Sequence, residues 1–195
     1  MKRFKFWKLD AFTTGASAGN PAGLVLLRPD DSVSDAEMQR LATQVAATGF
    51  VTEVAFARPV GPGELALRYF SCEREVPFCG HATVASMYQL LSAVPEYRGL
   101  PRLALNTRKG RLEVENRIEA EGCVFIAAPE PAFPDIRVLA SEAAAALGLS
   151  VGKFNRHEIS PDSRLPVCEC GQKCLLVPVA GLDALIACAP SYATL

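Results

Sequence analysis

Two short stretches with strand periodicity, joined by a tight turn, set the class of fold. Residues 50–57 sort at a period of two into two faces, and residues 65–70 continue the pattern beyond a Gly-Pro-Gly turn. Two such runs around a short turn predict an antiparallel β-hairpin. Residues 103–106 and 111–115 predict a second hairpin. Because hairpins outnumber strand–helix–strand units, the sequence predicts an α+β fold with antiparallel pairing.

One helix is predicted ahead of the first hairpin and one between the two hairpins. The sequence also predicts helices at 140–147 and 182–188 and a strand at 174–179. Ser34 and Glu37 have the spacing of a capping box, in which each side chain bonds the other residue's backbone amide. Apolar residues at helical spacing follow, and Gly49 is a plausible stop. A second helix is predicted to open within residues 77–83, with one apolar stripe formed by Val84, Met87, Tyr88 and Leu91.

Charge and composition exclude several classes of protein. The chain has 20 basic and 21 acidic side chains, so it lacks the basic surplus of a nucleic-acid-binding protein. No apolar run is long enough to span a bilayer, and residues 1–8 alternate apolar with basic residues, which predicts a strand rather than a signal peptide. We therefore expect a cytoplasmic protein. Its seven cysteines, an odd number, favour free thiols.

Glu53 is the first candidate for chemistry. It shares a strand face with Val51, Ala55 and Ala57, all small or apolar. In such surroundings desolvation raises the pKa of a carboxyl group toward the working range of a general base. The alternative is a glutamate on an edge strand that points into solvent, which is the commoner fate of such a residue. Position alone leaves both interpretations open.

Cys79-Gly80-His81 lies at the predicted start of the second helix. Backbone amides there lack partners and favour an anion, and Gly80 lets a ligand approach the backbone closely. The segment therefore suits a substrate carboxylate beside an imidazole, although a capping loop with a buried cysteine and a half-exposed histidine fits equally well. Asn20, where a loop enters a strand, either presents its amide to a ligand or closes an Asx turn, and the turn is favoured.

A zinc site is not predicted. Cys168, Cys170 and Cys174 match the spacing of structural zinc sites poorly, and no second cysteine pair completes them. His157 is isolated in the sequence and is expected at the surface. The phosphate-binding, dinucleotide-binding and serine-hydrolase motifs are all missing.

Several of these segments together resemble the PhzF-like (phenazine biosynthesis) family. The resemblance rests on four motifs that occur in the order and spacing of that family: Leu9–Thr13, Gly19–Ala22, Thr52–Phe56, and a fourth that runs from Arg68–Phe70 to Glu75–Thr83. The match is dense over residues 5–95 and looser toward the end of the chain, at Lys173–Val179. Each motif alone is modest, whereas four in register are highly specific.

The resemblance implies the fold of diaminopimelate epimerase. Two pseudo-symmetric α+β halves would each wrap a sheet around a central helix, with the active site in the cleft between them. We assign residues 1–117 to the first half, which holds the main motifs, and residues 118–195 to a partial second half; the best internal boundary signal is Pro-rich, at 129–134. The family implies no metal or organic cofactor and an isomerase that moves a proton between carbons of a small carboxylated metabolite.

The resemblance also implies roles for single residues. Glu53 matches the general acid/base, and His81 matches the histidine that binds and polarises the substrate. Gly80 supplies close backbone approach, and Asn20 is a further binding candidate. Cys79 lies at or next to the position where racemases and epimerases of this fold keep a catalytic thiol, so we place it among the substrate-binding residues.

Two departures from the family pattern matter. The family's Ser-Glu-Thr around the base is Thr52-Glu53-Val54 here, so one neighbouring hydroxyl is lost. The acidic Glu-Asp-Pro-x-Thr-Gly-Ser motif of the second half is absent, so we expect an incomplete second half, a more solvated Glu53 with an ordinary pKa, and exposed strand edges that favour a homodimer. The alternatives are a shortened, catalytically silent relative that acts through protein–protein contact, and a non-catalytic binder of small acids.

Overall fold

The computed structural model describes residues 3–14, 16–154 and 159–191. The chain divides into two units, Met1–Pro129 and Glu130–Leu195. The strands of the first unit are β1 (Lys5–Ala11), β2 (Asn20–Leu26), β3 (Glu53–Gly61), β4 (Glu64–Ser71), β5 (Glu75–Val76), β6 (Arg102–Thr107), β7 (Gly110–Arg117) and β8 (Cys123–Ile126). Its helices are α1 (Asp35–Ala46), α2 (Gly80–Ala93) and the single turn α3 (Ile118–Glu121).

One curled sheet organises the first unit. Its eight strands run in the order β1-β2-β3-β4-β6-β7-β8, with β5 paired to β4. Both predicted hairpins are present as β3–β4 and β6–β7, and the α+β class is confirmed. The pairs β2–β3 and β4–β6 are parallel. Strands from both ends of the order, β1 and β8, reach α2, so the sheet wraps around that helix.

The two faces of the sheet carry two separate cores. The inner face packs on α2 through residues that include Ala22, Ala55 and Ala57, all with no exposed surface. These small side chains let the helix lie close to the strands. The outer face, which includes Val54 and Phe56, packs on α1. Alternate residues of β3 therefore serve alternate cores, as a period of two requires.

The helices begin where the sequence predicts. In α1 the Glu37 amide donates to Ser34 Oγ at 3.2 Å and the Ser34 amide donates to Glu37 Oε2 at 2.9 Å, which confirms the capping box. In α2 the predicted stripe is only partly right, because Met87 is buried whereas Tyr88 is 41% exposed. The buried side of α2 is wider than one stripe, since the curled sheet covers the helix from several directions.

The start of β3 differs from the prediction. Phe50 is exposed, and Val51 packs in the outer core with α1. Regular strand geometry begins only at Glu53. The period-two pattern is therefore broken just before Glu53, at the end of the strand that carries the candidate base.

Ser86, in the middle of α2, is fully buried, and its hydroxyl has no hydrogen-bond partner among the described residues. A buried hydroxyl without a partner costs free energy that an alanine does not. We expect Ser86→Ala to raise the free energy of unfolding by about 1 kcal/mol in urea denaturation. Ser92→Ala in the same helix is the matched control, because Ser92 Oγ donates to the Tyr88 carbonyl at 2.6 Å and its loss brings no gain. A destabilised Ser86→Ala would contradict this expectation.

The second unit has its own small sheet and core. Its elements are β9 (Arg137–Leu139), α4 (Ala140–Ala146), a 3-10 turn (Val151–Lys153), β10 (Arg164–Cys170), β11 (Gln172–Leu175) and α5 (Leu182–Ile186). The sheet order is β11-β10-β9, and the core consists mainly of alanines of α4 with Phe154 and Leu165. The two helices lie where the sequence predicts them. The strand predicted at 174–179 ends at Leu175.

Along the chain, the boundary between the two units falls between Pro129 and Glu130, within the Pro-rich stretch. Strand β8 pairs with β7, so residues 123–126 belong to the sheet of the first unit. The predicted boundary at 117/118 refers to the epimerase-like halves and stays a prediction. In the described part of the chain, no helix combines the length and the apolar character that crossing a membrane requires.

Candidate active site

Three elements of the first unit bring the candidate residues to one end of the sheet. Asn20 is the first residue of β2 and Glu53 the first residue of β3. These strands are parallel, with Ala22 opposite Glu53, so both residues lie at the same end. By alternation along each strand, Asn20 and Glu53 belong to the inner face, toward α2. Helix α2 begins at this end with Cys79 as its N-cap, followed by Gly80 and His81.

The His81 imidazole lies between a carboxylate and a thiol. Its Nε2 is 3.4 Å from Glu53 Oε2, and its Nδ1 is 3.4 Å from Cys79 Sγ. The Glu53 and His81 side chains are 21% and 13% exposed, and Cys79 is buried. Glu53 is therefore not the solvated edge-strand glutamate of the alternative interpretation, because it faces a histidine from a half-buried position.

Hydrogen bonds favour the charged forms of both His81 and Glu53. The hydrogen bond to Cys79, and then the one to Glu53, raises the pKa of His81 from 6.5 to about 10, although burial acts in the opposite direction. The His81 hydrogen bond lowers the pKa of Glu53; burial raises it, and the Thr52 hydroxyl adds to the lowering. The expectation that burial raises the Glu53 pKa is wrong in its net direction. At neutral pH the site holds an imidazolium and a carboxylate.

Thr52 is a site residue whose part the sequence analysis missed. Its hydroxyl donates to Glu53 Oε2. The family position that lost its hydroxyl is Val54, which packs in the outer core away from Glu53. The departure from Ser-Glu-Thr therefore removes nothing from this site. The feature of the sequence that could have identified Thr52 is that this hydroxyl residue directly precedes Glu53.

Gly80 leaves room over the first turn of α2. No side chain caps this helix. A Cβ at Gly80 would have only ordinary van der Waals contact, with the Phe78 ring at 3.8 Å. Packing within the protein would therefore tolerate a side chain at position 80. A glycine there is consistent with space that is kept open for a ligand. A group that entered here would meet backbone amides beside the charged His81.

Asn20 has an exposed side chain that makes no hydrogen bond within the described residues, so the Asx turn is not formed there. The chain enters β2 through Gly19, which has φ of +83° and where a Cβ would clash with the Ala11 carbonyl oxygen. Only glycine fits that position. The resulting turn places Asn20 at the Glu53 end of the sheet.

Glu53, Cys79 and His81 are also the one group of possible metal ligands found within the described residues. Two ligands of a tetrahedral zinc ion lie about 3.5 Å apart. Here Cys79 and Glu53 face different imidazole nitrogens, and Cys79 Sγ is 4.0 Å from the Nε2 that faces Glu53. The arrangement is a bridged hydrogen-bond chain rather than a formed chelate. In the sheet of the second unit, Cys168 of β10 lies opposite Cys174 of β11 in the strand register. His157 lies outside the described residues.

Comparison with known proteins identifies the family. The model for the phenazine biosynthesis-like protein family, PhzC-PhzF, matches residues 9–195. The chain belongs to the PhzC-PhzF family. The PhzF resemblance is thereby confirmed.

Among PhzF relatives, the uncharacterized isomerase YfhB of Bacillus subtilis (strain 168) is 36% identical over 163 residues, which are 83% of this chain and 52% of YfhB. The crystal structure of the Bacillus anthracis phenazine biosynthesis protein of the PhzF family matches with a TM-score of 0.70 and 30% identity, over 97% of this chain and 60% of that one. The chain thus spans about half the length of the curated relative it matches.

A more distant structure supports the wider fold group. A probable proline racemase from Agrobacterium radiobacter K84 matches with a TM-score of 0.53 and 12% identity, over 90% of this chain and 52% of that chain. At that identity the likeness concerns the fold alone. Together with the sheet wrapped around α2, it confirms the epimerase-like fold class of the PhzF chain.

Proposed function

We propose that this chain acts as an isomerase or epimerase that moves a proton within a small carboxylated metabolite, with Glu53 as the general acid/base. The observation that carries the proposal is the placement of Glu53 Oε2 3.4 Å from His81 Nε2. The pair lies at the uncapped N-terminus of a helix that the core encloses. The naming of relatives such as YfhB as isomerases supports the reaction class.

In this proposal His81 binds the substrate carboxylate. A protonated imidazole beside the first amides of α2 presents positive charge together with backbone donors, which is the combination that carboxylates favour. Gly80 admits the carboxylate to the backbone, and Asn20 supplies an amide from the same end of the sheet. Cys79 contacts the imidazole from its other side, at Nδ1.

Substrate binding would also activate the base. In the free protein, the bond from His81 keeps the Glu53 pKa low, so the carboxylate is a weak base. A substrate carboxylate that accepts a hydrogen bond from His81 shares that positive charge and displaces water. Both effects raise the Glu53 pKa toward the range in which it abstracts a proton next to an unsaturated carbon system. The protonated Glu53 then returns the proton to a different carbon of the substrate.

Solvent exchange tests this reaction class directly. The purified protein is incubated in D2O with a panel of small carboxylated compounds, including proline and cyclic amino-hydroxy acids, and mass spectrometry detects incorporation of deuterium at carbon. Proton transfer through Glu53 places solvent deuterium on the carbon skeleton of a substrate. Absence of exchange with every panel member, together with no binding of any of them by calorimetry, would count against both the enzyme and the acid-binding alternative.

Replacement of Gly80 tests the binding of the carboxylate. Gly80→Ala fills the space over the first turn of α2 without a clash in the protein, so we expect KM to rise about tenfold or more while the melting temperature stays near that of the wild type. Gly61→Ala, at the far end of the β3–β4 hairpin and also without a clash, is the matched control. An unchanged KM in Gly80→Ala would remove this glycine from the binding site.

A catalytically silent relative that acts through protein–protein contact is the second candidate. The observation in its favour is the exposure of Leu182, Leu185 and Ile186 on α5. Such side chains also support the predicted homodimer. The cytoplasmic location and the lack of a cofactor remain expectations from the sequence.

A further inference from the structure

Tyr69 is a fully buried tyrosine at the centre of the strands that lead to the candidate site. It lies on β4 opposite Ala55 of β3, two residues beyond Glu53. On the other side of β4 it pairs with Val76 of β5, just before the chain turns into α2. The same residue therefore lies between the strand that carries Glu53 and the segment that leads to His81.

The hydroxyl of Tyr69 starts a short chain of hydrogen bonds to the N-cap of α2. Tyr69 Oη is 2.6 Å from Thr83 Oγ1, and the Thr83 hydroxyl donates to the Cys79 carbonyl oxygen at 2.7 Å. The Thr83 hydroxyl has a single proton, which it gives to Cys79, so Tyr69 must be the donor to Thr83. Burial raises the pKa of Tyr69, so this donor keeps its proton.

The Tyr69 ring holds the same turn by packing. It meets the Phe78 ring edge-on, with centroids 6.1 Å apart and planes at 76°. One side chain thus contacts Phe78 directly and Cys79 through Thr83, the two residues that precede Gly80 and His81. Tyr69 and Thr83 are both without exposed surface, so water does not compete for their bonds.

We propose that Tyr69 is a positioning residue: through Thr83 it fixes the first turn of α2 and thereby sets His81 against Glu53. The catalytic consequence rests on the proposed function, whereas the effect on the His81–Glu53 contact does not. His81 and Glu53 lie on different elements, and the bond between them is already 3.4 Å long. A small loosening of the turn is therefore enough to weaken it.

Titration of His81 by NMR tests this proposal without a substrate. The ring Cε1–H signal of His81 is assigned with His81→Gln and followed against pH in the full chain. Glu53 and Cys79 are the charged or titratable groups that face the imidazole, so its pKa of about 10 reports both contacts. We expect Tyr69→Phe to lower that pKa by about one unit or more. Tyr97→Phe, which alters another largely buried tyrosine beyond the C-terminal end of α2, should leave it unchanged.

Variants of Thr83 provide an independent check if Tyr69→Phe does not fold. Thr83→Ser keeps the hydroxyl and should retain the wild-type His81 pKa, whereas Thr83→Val removes the hydroxyl at nearly the same shape and should lower it. A wild-type pKa in both Tyr69→Phe and Thr83→Val would overturn the proposal, as would an equal fall in Tyr97→Phe. Deuterium exchange is measured in a separate experiment. If the proposed reaction is not found, the titration still tests whether Tyr69 positions His81 against Glu53.

Discussion

Replacing Glu53 by glutamine is expected to lower the rate of solvent-deuterium incorporation about 100- to 10,000-fold, the range of a single general acid or base. The amide has nearly the shape of the carboxylate and can still accept from Thr52 and His81, but it does not take up a proton from carbon. We therefore expect little change in circular dichroism, and a melting temperature lowered only by the loss of the charged pair with His81. The measurement is the initial exchange rate on the best substrate of the panel, in wild type and variant at equal concentration.

Cys79→Ser is the control that separates a carboxylate mechanism from a thiol mechanism. The serine hydroxyl keeps a polar partner for His81 Nδ1, so we expect a smaller loss of exchange than in Glu53→Gln. A greater loss in Cys79→Ser would move the reaction to thiol-based epimerisation. Equal exchange rates in wild type and Glu53→Gln would remove Glu53 from the mechanism.

The parts of the fold that the sequence predicts are those fixed by near neighbours. The Ser34–Glu37 capping box and the β3–β4 and β6–β7 hairpins depend on residues a few positions apart. The parallel pairs β2–β3 and β4–β6 join strands that other elements separate along the chain, and no local pattern specifies them. The period-two pattern also fails to locate the start of β3, because Val51 packs against α1 instead of following the strand.

The same distinction between contacts of near neighbours and contacts of distant residues applies to the candidate site. The motif identifies Glu53 and His81, and the parallel register of β2 and β3 then brings Asn20 to the same end. The direction of the Glu53 pKa was not predictable from its strand face, because it depends on a single contact with a residue 28 positions away in the chain. Thr52 was overlooked for a related reason: alternation assigns it to the outer face, but it precedes the regular strand and its hydroxyl turns back to Glu53.

The charged His81–Glu53 pair links the stability of the first unit to pH. For His81 the folded pKa of about 10 exceeds the ordinary 6.5, so its contribution is complete below pH 6.5 and is lost as the pH rises through 10. For Glu53 the folded pKa lies below the ordinary 4.5, so its contribution is present above that value and is lost as the pH falls further. Both contributions are therefore complete only between about pH 4.5 and 6.5.

The expected result is a stability difference between wild type and His81→Gln that is greatest near pH 5.5 and declines as the pH rises. Between pH 6.5 and 10 the folded chain holds a proton that the unfolded chain has released, so the free energy of unfolding falls by up to about 1.4 kcal/mol per pH unit. Summed over that window, the largest possible loss of unfolding free energy is roughly 5 kcal/mol, and solvent screening at this half-buried pair lowers it.

Urea denaturation of both proteins at pH 5.5, 8 and 10 measures the difference. Because lysines, tyrosines and the other cysteines titrate in both proteins, their contributions cancel in the comparison with His81→Gln. A difference that stays constant from pH 5.5 to 10 would mean that the pKa of His81 is the same in the folded and unfolded chains. The imidazole would then be mostly neutral above pH 7, and the anion-binding role assigned to it would lack its charge.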